Sequence, residues 1–436
     1  MVSDWTPALA ALTLVAVRTP LVVTLCLGAV LACASDDASG RPWRRGEAAG
    51  TTPLPTRPTQ VEKNRTAASW LPDRDTLRQV PRPLLSMLEE DPYSYFRYVN
   101  RPWARRVCDG FQADIPTLPR VRVHGDAHVE QYAFTGDEFG LDDFDDSAEG
   151  PSVVDLTRFV GSLELAARRR GWTTSLEGVI AEFFRGYEAA LVRPAYRPPT
   201  PAIVTRRRGS TARTLDEFLA WTDSLMQPVS SDIEETTRAS LRAVAGLVAA
   251  SRPGTSVEQF ALKKVGRIQL GIGSLLTPKL LVRTEGPTDV PGDDLVLEAK
   301  ALSDLSSIDC LTVPEMQEGL RVVLGSQQIG RLKHDVLSIV PVRLTGDAAA
   351  REWWIRTWNP TYGEIDLDHF ASVEELREVA HDAGAQLGST NLPATSGGAE
   401  RRARERQTFT RMRPRIRNLA RELSRDVVEA WERLRQ

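Results

Sequence analysis

The stretch "VRVHGDAHVEQYAF", residues 121–134, places two of the five histidines of a 436-residue chain on either side of one aspartate, Asp126. A second acidic stretch, "LDDFDDSAEGPSVVDL", follows at residues 141–156. The spacing between them is that of a short hairpin, which would bring Asp143 close to the Asp126 loop. We therefore expect the fold to be organised around these two acidic motifs.

Length and composition indicate an ordinary globular protein with two or three domains or lobes. Hydrophobic residues make up 42% of the chain and charged residues 26%. Both fractions are average for a folded domain. The net charge of −3 gives no general attraction to nucleic acid or to an anionic membrane, so no nucleic-acid partner is expected.

The N-terminus is expected to be a targeting segment and not part of the fold. An apolar run at residues 21–32 is too short to span a bilayer comfortably and is typical of a secretory signal. It ends in "VLAC", which resembles the bacterial lipoprotein cleavage box, so residues 1–33 are predicted to be a signal peptide with Cys33 as the lipidation site. Residues 34–62, rich in Pro, Gly, Ser and Thr, are predicted to be a flexible linker. The expected location is the cell envelope, with a lipid anchor in the membrane. If the segment is instead a buried N-terminal helix, the location is cytoplasmic.

The cysteines do not predict a disulfide scaffold. With Cys26 removed and Cys33 lipidated, Cys108 and Cys310 remain, which permits at most one disulfide. The sequence leaves open whether these two residues meet.

The mature chain divides by pattern into a helical part at 63–250, a β-rich part at 255–360 and C-terminal helices at 361–436. In the first part, "VVDLTRFVGSLELAARRRG" predicts an amphipathic helix that stops at Gly171. "SLEGVIAEFFRGYEAALV" predicts a second helix, with Ser175 as its N-cap. Short β-branched runs after residue 260 predict strands.

The residues around Asp126 have the spacing that phosphoryl transfer requires. A carboxylate must accept the proton of the nucleophile, and an amide and a second carboxylate must hold magnesium on the nucleotide phosphates. Gln131 follows Asp126 by five residues, as the catalytic-loop Asn follows Asp in kinases. Asp143 would reach the same metal, and Asp145 is close enough to assist. This pattern predicts Mg²⁺ as the cofactor and ATP as a substrate.

Several motifs in order support a family resemblance. "HGDAHVEQ" and "DDFDDSAEGPSVVDL" resemble the HGDxHxxN and DFD-type motifs of aminoglycoside-phosphotransferase-like kinases. The wider pattern resembles the bacterial domain-of-unknown-function family 2252, which is placed in the protein-kinase-like group. It includes "MLEEDPYSYFR", "VGRIQLGIGSL", "LVLEAKAL" and "GLRVVLGSQQI" and spans about residues 87–391.

The resemblance implies an α+β, protein-kinase-like fold with a helical lobe and a smaller β-rich lobe. Its motif order is permuted, because the catalytic loop precedes the glycine-rich turn and the lysine. The implied roles are catalytic for Asp126 and His128, metal-binding for Gln131, Asp143 and Asp145, and nucleotide-binding for Gly271, Gly273, Ser274 and Lys300. The implied activity is ATP- and magnesium-dependent transfer to a small-molecule or protein hydroxyl. The resemblance does not identify the acceptor.

Other interpretations of the Asp126 loop remain open. One is a polar loop with satisfied histidines. Another is a zinc site with ligands from H-x-D-x-H, although no second His/Cys cluster has the usual spacing. An EF-hand starting at Asp143 is excluded, because Ala148 and Val154 stand where such a loop needs glycine and glutamate.

Two functional alternatives to phosphotransfer also remain. The first is a catalytically degenerate, ligand-binding lipoprotein, because Gln131 stands where the family has asparagine and export separates the protein from cytoplasmic ATP. The second is nucleotidyl transfer by the same site. Arg356 and Asp155 are expected to form supporting ion pairs or core contacts and not to act in catalysis.

Overall fold

The computed structural model describes residues 70–436, except for 73, 79, 212, 252–255, 287, 289, 314–317, 345–346, 348–349 and 390–397. The predicted signal segment 1–33 with Cys33, and the linker 34–62, lie outside the described residues, so these assignments stay predictions. Within the described part of the chain, no helix is long and apolar enough to cross a membrane.

Helices form where apolar residues recur every three to four positions, as the pattern predicts. They are α1 (Arg74–Leu77), α2 (Arg82–Glu90), α3 (Pro92–Tyr98), α4 (Asn100–Gly110), α5 (Val153–Arg170), α6 (Leu176–Val192), α7 (Ala202–Thr211), α8 (Leu215–Leu225), α9 (Ser231–Ser251), α10 (Gly271–Leu276), α11 (Leu320–Gln328), α12 (Val373–Ser389) and α13 (Gly398–Leu434).

The strands of the described residues form three antiparallel sheets. They are β1 (Arg120–Val123), β2 (Tyr132–Thr135), β3 (Glu138–Leu141), β4 (Ala148–Pro151), β5 (Leu262–Ile268), β6 (Lys279–Thr284), β7 (Leu295–Ala301), β8 (Leu337–Val342), β9 (Arg351–Trp358) and β10 (Gly363–Glu364). The strand orders are β1-β4, β10-β2-β3 and β5-β6-β7-β9-β8. Helices and separate antiparallel sheets make this an α+β protein, which confirms the predicted fold class.

The large helices α5, α6, α12 and α13 enclose one apolar core. Two glycines let α6 and α12 approach backbone to backbone. A Cβ at Gly186 would lie 1.9 Å from the carbonyl oxygen of His381, and one at Gly384 would lie 2.0 Å from that of Phe183. Larger residues would push these helices apart.

The five-stranded sheet has a helix on each face. Apolar residues of α9, among them Leu241 and Val244, join a cluster with Leu280 of β6. Phe218 and Leu219 of α8 pack with residues that face the other way on the same strands. Alternate strand residues point to opposite faces of a sheet, so both faces are buried. Helices α8 and α9 fall within the segment predicted as the helical lobe, but they pack on the sheet.

Several local predictions need correction. Helix α5 does end at Gly171, whose φ of 72° is left-handed, but Ser175 makes no side-chain cap at the start of α6. A 3₁₀ turn at Thr173–Ser175 leads into α6 instead. The glycine-rich turn after β5 is the short helix α10. The last helix, α13, begins at Gly398 and continues through Pro414.

A disulfide answers the open question about the cysteines. Cys108 of α4 pairs with Cys310, which follows β7, and the two Cα atoms are 5.6 Å apart. The segment around Cys310 is also bound to β4, because Thr312 and Glu149 exchange backbone hydrogen bonds of 2.7 and 3.3 Å. The chain that leaves the large sheet is therefore fixed to the helical core.

Candidate functional site

The Asp126 loop joins β1 to the 3₁₀ turn that precedes β2, and the first turn of α5 holds it in place. The carboxylate of Asp155 accepts hydrogen bonds from the backbone N–H groups of His124, at 2.6 Å, and Gly125, at 2.8 Å. Gly125 has a left-handed φ of 85°, and a Cβ there would lie 1.9 Å from the carbonyl oxygen of Asp146. The position therefore requires glycine. Asp155 has the supporting role that the sequence predicts.

The His124 ring connects the two acidic motifs. Its Nε2 donates to the carbonyl oxygen of Asp142 at 2.8 Å, and its Nδ1 accepts from the backbone N–H of Asp126 at 3.3 Å. This pairing assigns the proton to Nε2. Both ring nitrogens are engaged, which argues against the zinc interpretation.

Asp126 is buried and bound to a buried cation. Its Oδ1 accepts from Nε of Arg158 at 2.9 Å, and the Arg158 guanidinium lies 3.5 Å from the centre of the Phe96 ring. Burial raises the pKa of Asp126 to about 6, although Arg158 opposes the shift. A carboxylate with this pKa exchanges a proton near neutral pH, as a general base must.

His128 occupies a packing position beside Asp126. Its Nε2 is 3.7 Å from Oδ2 of Asp126, which is longer than a hydrogen bond. The ring packs edge-on against Tyr93 and Phe96. Burial, reinforced by the charges of Arg97 and Arg158, lowers the pKa of His128 well below its ordinary value. The imidazole is therefore neutral, and its position favours shaping the loop over transferring a proton.

The second acidic motif follows the β2–β3 hairpin, at the spacing the sequence predicts. The backbone N–H of Asp142 donates to the carbonyl oxygen of Gln131 at 2.8 Å, which joins the motif to the end of the Asp126 loop. Asp143 adopts a left-handed φ of 63°, the one positive φ among the described non-glycine residues. Aspartate tolerates this conformation better than most residues, and such backbone outliers cluster at functional sites.

Lys300 of β7 joins the large sheet to this motif. Its Nζ lies 2.6 and 2.8 Å from the two carboxylate oxygens of Asp143 and 2.7 Å from Oδ2 of Asp145. Burial alone would raise the pKa of Asp143, but the Lys300 charge outweighs burial and lowers it far below its usual range. Burial and the neighbouring Asp143 charge raise the pKa of Asp145 to about 8. The half-buried Asp143 and the buried Asp145 thus share one ammonium group.

A chain of buried charges continues from the motif across the sheet. Arg356 of β9 contacts Asp142 at 2.5 Å and Glu298 at 2.9 Å, so it is ion-paired as predicted. Glu298 also contacts Lys279 of β6 at 3.2 Å. Lys279 is the cross-strand partner of Lys300. Each buried charge in this chain has an opposite partner, as burial requires.

A cavity of about 330 Å³ brings most of the predicted site residues together. Those lining it are Asp126, His128, Gln131, Asp143, Asp145, Gly273 and Lys300. Gly271 does not line it and instead begins α10 with a left-handed φ of 68°. The side chain of Ser274 lies outside the described part of the chain. The volume is at the lower end of the range for small-molecule sites.

The oxygen donors in the cavity suit a hard divalent cation. Gln131, Asp143 and Asp145 offer amide and carboxylate oxygens, the ligands that magnesium prefers. The Lys300 ammonium now lies between the two carboxylates. Among the described residues, no group of three or more His, Cys, Asp or Glu side chains is arranged to hold a metal. A metal here would therefore need the amide and a bound ligand to complete its coordination.

Sequence reasoning missed several residues that build the site. Arg158 is almost fully buried although it is charged, and it contacts Asp126 directly. The sequence feature that could have indicated Arg158 is an arginine inside the apolar stripe of "VVDLTRFV". Asn100 donates to the carbonyl oxygen of Gly125 and to Oδ2 of Asp146, both at 3.0 Å, and nothing in its local sequence indicates this role.

Comparison with known proteins gives a family and no activity. A bacterial family, DUF2252, described as "Uncharacterized protein conserved in bacteria", matches residues 84–243 and 205–436. No curated protein and no solved structure is significantly similar to the chain. The two matches together cover residues 84–436, more than half of the sequence, and the resemblance seen in the motifs is confirmed at the level of the family. The chain belongs to the bacterial family DUF2252.

Proposed function

We propose that this protein is a kinase-like phosphotransferase that uses ATP and Mg²⁺ and acts on a hydroxyl group. The observation that carries the proposal is the cavity in which Lys300, from the third strand of a five-stranded sheet, meets Asp126, Asp143 and Asp145. Protein kinases place the phosphate-binding lysine on the third strand and a glycine-rich connection over the phosphates. Here Gly273 lies in the connection between the first two strands of the sheet.

In this proposal, the two-lobed kinase arrangement is present in permuted order. The strands of the sheet follow the acidic motifs in the chain instead of preceding them. Permutation changes the chain order but leaves the spatial neighbours intact. The meeting of Lys300 with Asp143, 157 residues apart, supports this arrangement.

Each residue has a role that its environment supports. Asp126 orients the acceptor hydroxyl and takes its proton while the acceptor oxygen forms a bond to the γ-phosphorus. The bond from the γ-phosphorus to the leaving oxygen breaks, and the electron pair stays on ADP. Lys300 moves from the carboxylates to the α- and β-phosphates. Magnesium, held by Gln131, Asp143 and Asp145, would neutralise phosphate charge.

The disulfide supports the predicted envelope location. Disulfides persist in oxidising compartments and are rare in the cytoplasm of most bacteria. The Cys108–Cys310 bond therefore agrees with export and with lipidation at Cys33. An exported enzyme would meet little ATP, which favours the second candidate function, ligand binding.

A second candidate function is ligand binding by a catalytically degenerate site. The contact of Lys300 with both Asp143 and Asp145 favours it, because the ammonium takes the place that a metal would fill. Gln131, where the family motif has asparagine, also favours it. In that case the cavity would bind a ligand without transferring phosphate.

Thermal unfolding with and without nucleotide discriminates the two candidates. For the enzyme, we expect ATP with Mg²⁺ to raise the melting temperature more than ATP alone. Asp143→Ala should abolish the additional rise in melting temperature that Mg²⁺ causes, with each rise measured from the variant's own ligand-free melting temperature. Asp109→Ala, at an exposed position of α4, is the matched control and should respond like the wild type. If no nucleotide changes the melting temperature of the wild type, the result contradicts the phosphotransferase proposal and favours a ligand-binding protein.

Product analysis then separates phosphoryl from nucleotidyl transfer. After incubation with labelled ATP and candidate acceptors, phosphoryl transfer leaves ADP and a phosphorylated product, whereas nucleotidyl transfer leaves pyrophosphate and an AMP adduct. Mass spectrometry distinguishes these products.

A further inference from the structure

One side of the cavity is lined by arginines that the proposed phosphotransfer does not use. Arg101 and Arg105 of α4 and Arg97 of α3 all line it, next to Asp126 and Lys300. Residues four apart on a helix lie on the same face, so Arg101 and Arg105 present their guanidinium groups together.

These arginines differ in whether they have partners. Arg97 forms an ion pair of 2.9 Å with Glu130. Arg101 and Arg105 are exposed, and neither forms an ion pair with any residue that the structure describes. Arg106, next along α4, does not line the cavity and pairs with Asp109 at 3.5 Å. Arg101 interacts electrostatically with Asp304 but forms no ion pair with it. Both guanidinium groups are thus exposed and can bind an anion from outside.

The carboxylates that line the same cavity have other partners. Asp126 is bound to Arg158, and Asp143 and Asp145 are bound to Lys300. Asp146 accepts a hydrogen bond from the side-chain amide of Asn100 at 3.0 Å. The cavity is therefore divided into an acidic region, which Lys300 partly neutralises, and a region of unpaired positive charge on α4.

Helix α4 is fixed relative to the Asp126 loop, so the distance between the two regions is set by the fold. Asn100, at the start of α4, donates to the carbonyl oxygen of Gly125, which precedes Asp126. Cys108, further along α4, is bonded to Cys310. A ligand that contacts Arg101 or Arg105 thus meets a rigid surface a fixed distance from the proposed base.

We propose that Arg101 and Arg105 bind an anionic group, a phosphate or a carboxylate, on the acceptor whose hydroxyl meets Asp126. Guanidinium groups bind both anions through two parallel hydrogen bonds, and a pair of them on one rigid face selects for charge. The acceptor class is therefore small hydroxylated phosphate esters or hydroxy acids. That the bound molecule is the acceptor rests on the proposed function, whereas the anion site rests on the cavity alone.

Binding of three small probes tests the inference by calorimetry. The probes are glycerol 3-phosphate, glycerate and uncharged glycerol, each titrated with and without saturating ATP and Mg²⁺. We expect one or both charged probes to bind and glycerol not to bind. The charged probe that binds more tightly identifies the anion as phosphate or carboxylate.

Paired variants locate the binding site. Arg101→Ala/Arg105→Ala should weaken binding of the charged probe about tenfold to a hundredfold, because charge-assisted hydrogen bonds are lost. Arg106→Ala, which removes one positive charge from the same helix outside the cavity, should leave binding unchanged. Arg101 and Arg105 are exposed and Arg106 is half-buried, so the melting temperature of each variant is measured to confirm folding.

The outcomes separate this inference from the proposed function. If the charged probe competes with ATP, or if the double variant loses ATP affinity equally, the arginines bind nucleotide phosphates and the inference is wrong. Equal effects of the double variant and Arg106→Ala, or no binding of either charged probe, also overturn it. If the probe binds through Arg101 and Arg105 but no nucleotide binds, the anion site stands and the phosphotransferase proposal fails.

Discussion

Arg158 is the buried cation that keeps Asp126 ionised near neutral pH. Burial alone raises the pKa of Asp126, and Arg158, 2.9 Å away, limits the rise to about 6. An opposite charge this close lowers a carboxyl pKa by about 1–3 units. Arg158→Met, which keeps the contact with Phe96 but loses the charge, should therefore raise this pKa to about 7–9.

The size of the effect follows from the titration curve. With a pKa of about 6, about 90% of Asp126 is ionised at pH 7, and with a pKa of about 8 only about 10% is ionised. Difference infrared spectra against a matching Asp126→Asn background should report the carboxyl titration directly. Arg158→Lys, which keeps the charge, is the control and should stay closer to the wild type.

The same shift changes the dependence of stability on pH. A carboxyl group whose folded pKa is above its unfolded value of 3.8 stabilises the fold while protonated, and this stabilisation is lost as pH rises to the folded pKa. The wild type loses this stabilisation between about pH 4 and 6. In Arg158→Met the loss continues above pH 6, at about 1.4 kcal/mol for each unit of pKa increase. Urea unfolding at pH 6 and pH 8 measures the difference. This account would be refuted if the difference in unfolding free energy between variant and wild type stayed constant with pH. It would also be refuted if the infrared spectra gave the same Asp126 pKa for both proteins.

Three other perturbations test the packing and the site. Gly384→Ala should lower the free energy of unfolding in urea by at least about 1–3 kcal/mol, because its Cβ would lie 2.0 Å from the carbonyl oxygen of Phe183. The control Gly209→Ala, in open space on α7, should not lower it. Cys108→Ser should lower the free energy of unfolding by about 2–5 kcal/mol. A reductant should destabilise the wild type but should have no further effect on the stability of this variant. Lys300→Met leaves the buried Asp145 and the half-buried Asp143 without their ammonium partner. The variant should be less stable by up to about 3–5 kcal/mol at pH 8, and by less at pH 5, where protonation relieves the repulsion between the carboxylates. A loss of stability that does not depend on pH would contradict this reasoning.

The sequence predicted the site best where its residues lie close together in the chain. Asp126, Gln131 and Asp143 are joined by a short hairpin, so their spacing alone indicated that they meet. Lys300 lies in the apolar stretch "LVLEAKAL", where a lone lysine needs an anionic partner. Its partner was indicated only by resemblance, because 157 residues separate it from Asp143.

Contacts between distant helices left no such signal. Asn100 has an ordinary sequence neighbourhood, yet it fixes the Asp126 loop to α4. Amphipathic patterns predicted α8 and α9 as helices, but a stripe of apolar residues does not say which surface covers it. These helices were therefore grouped with the helical lobe, although they pack on the sheet. The pairing of Cys108 with Cys310 could not be read from two cysteines.

The Cys108–Cys310 bond also links two elements that line the cavity, because α4 carries Arg101 and Arg105 and β7 carries Lys300. Cys310 follows Lys300 by ten positions, and Thr312 is bonded to the backbone of Glu149 just beyond it. The C-terminal end of β7 is thereby covalently tethered to α4. Reduction of the bond would remove this tether and leave the backbone pairing of Thr312 with Glu149 to hold the segment.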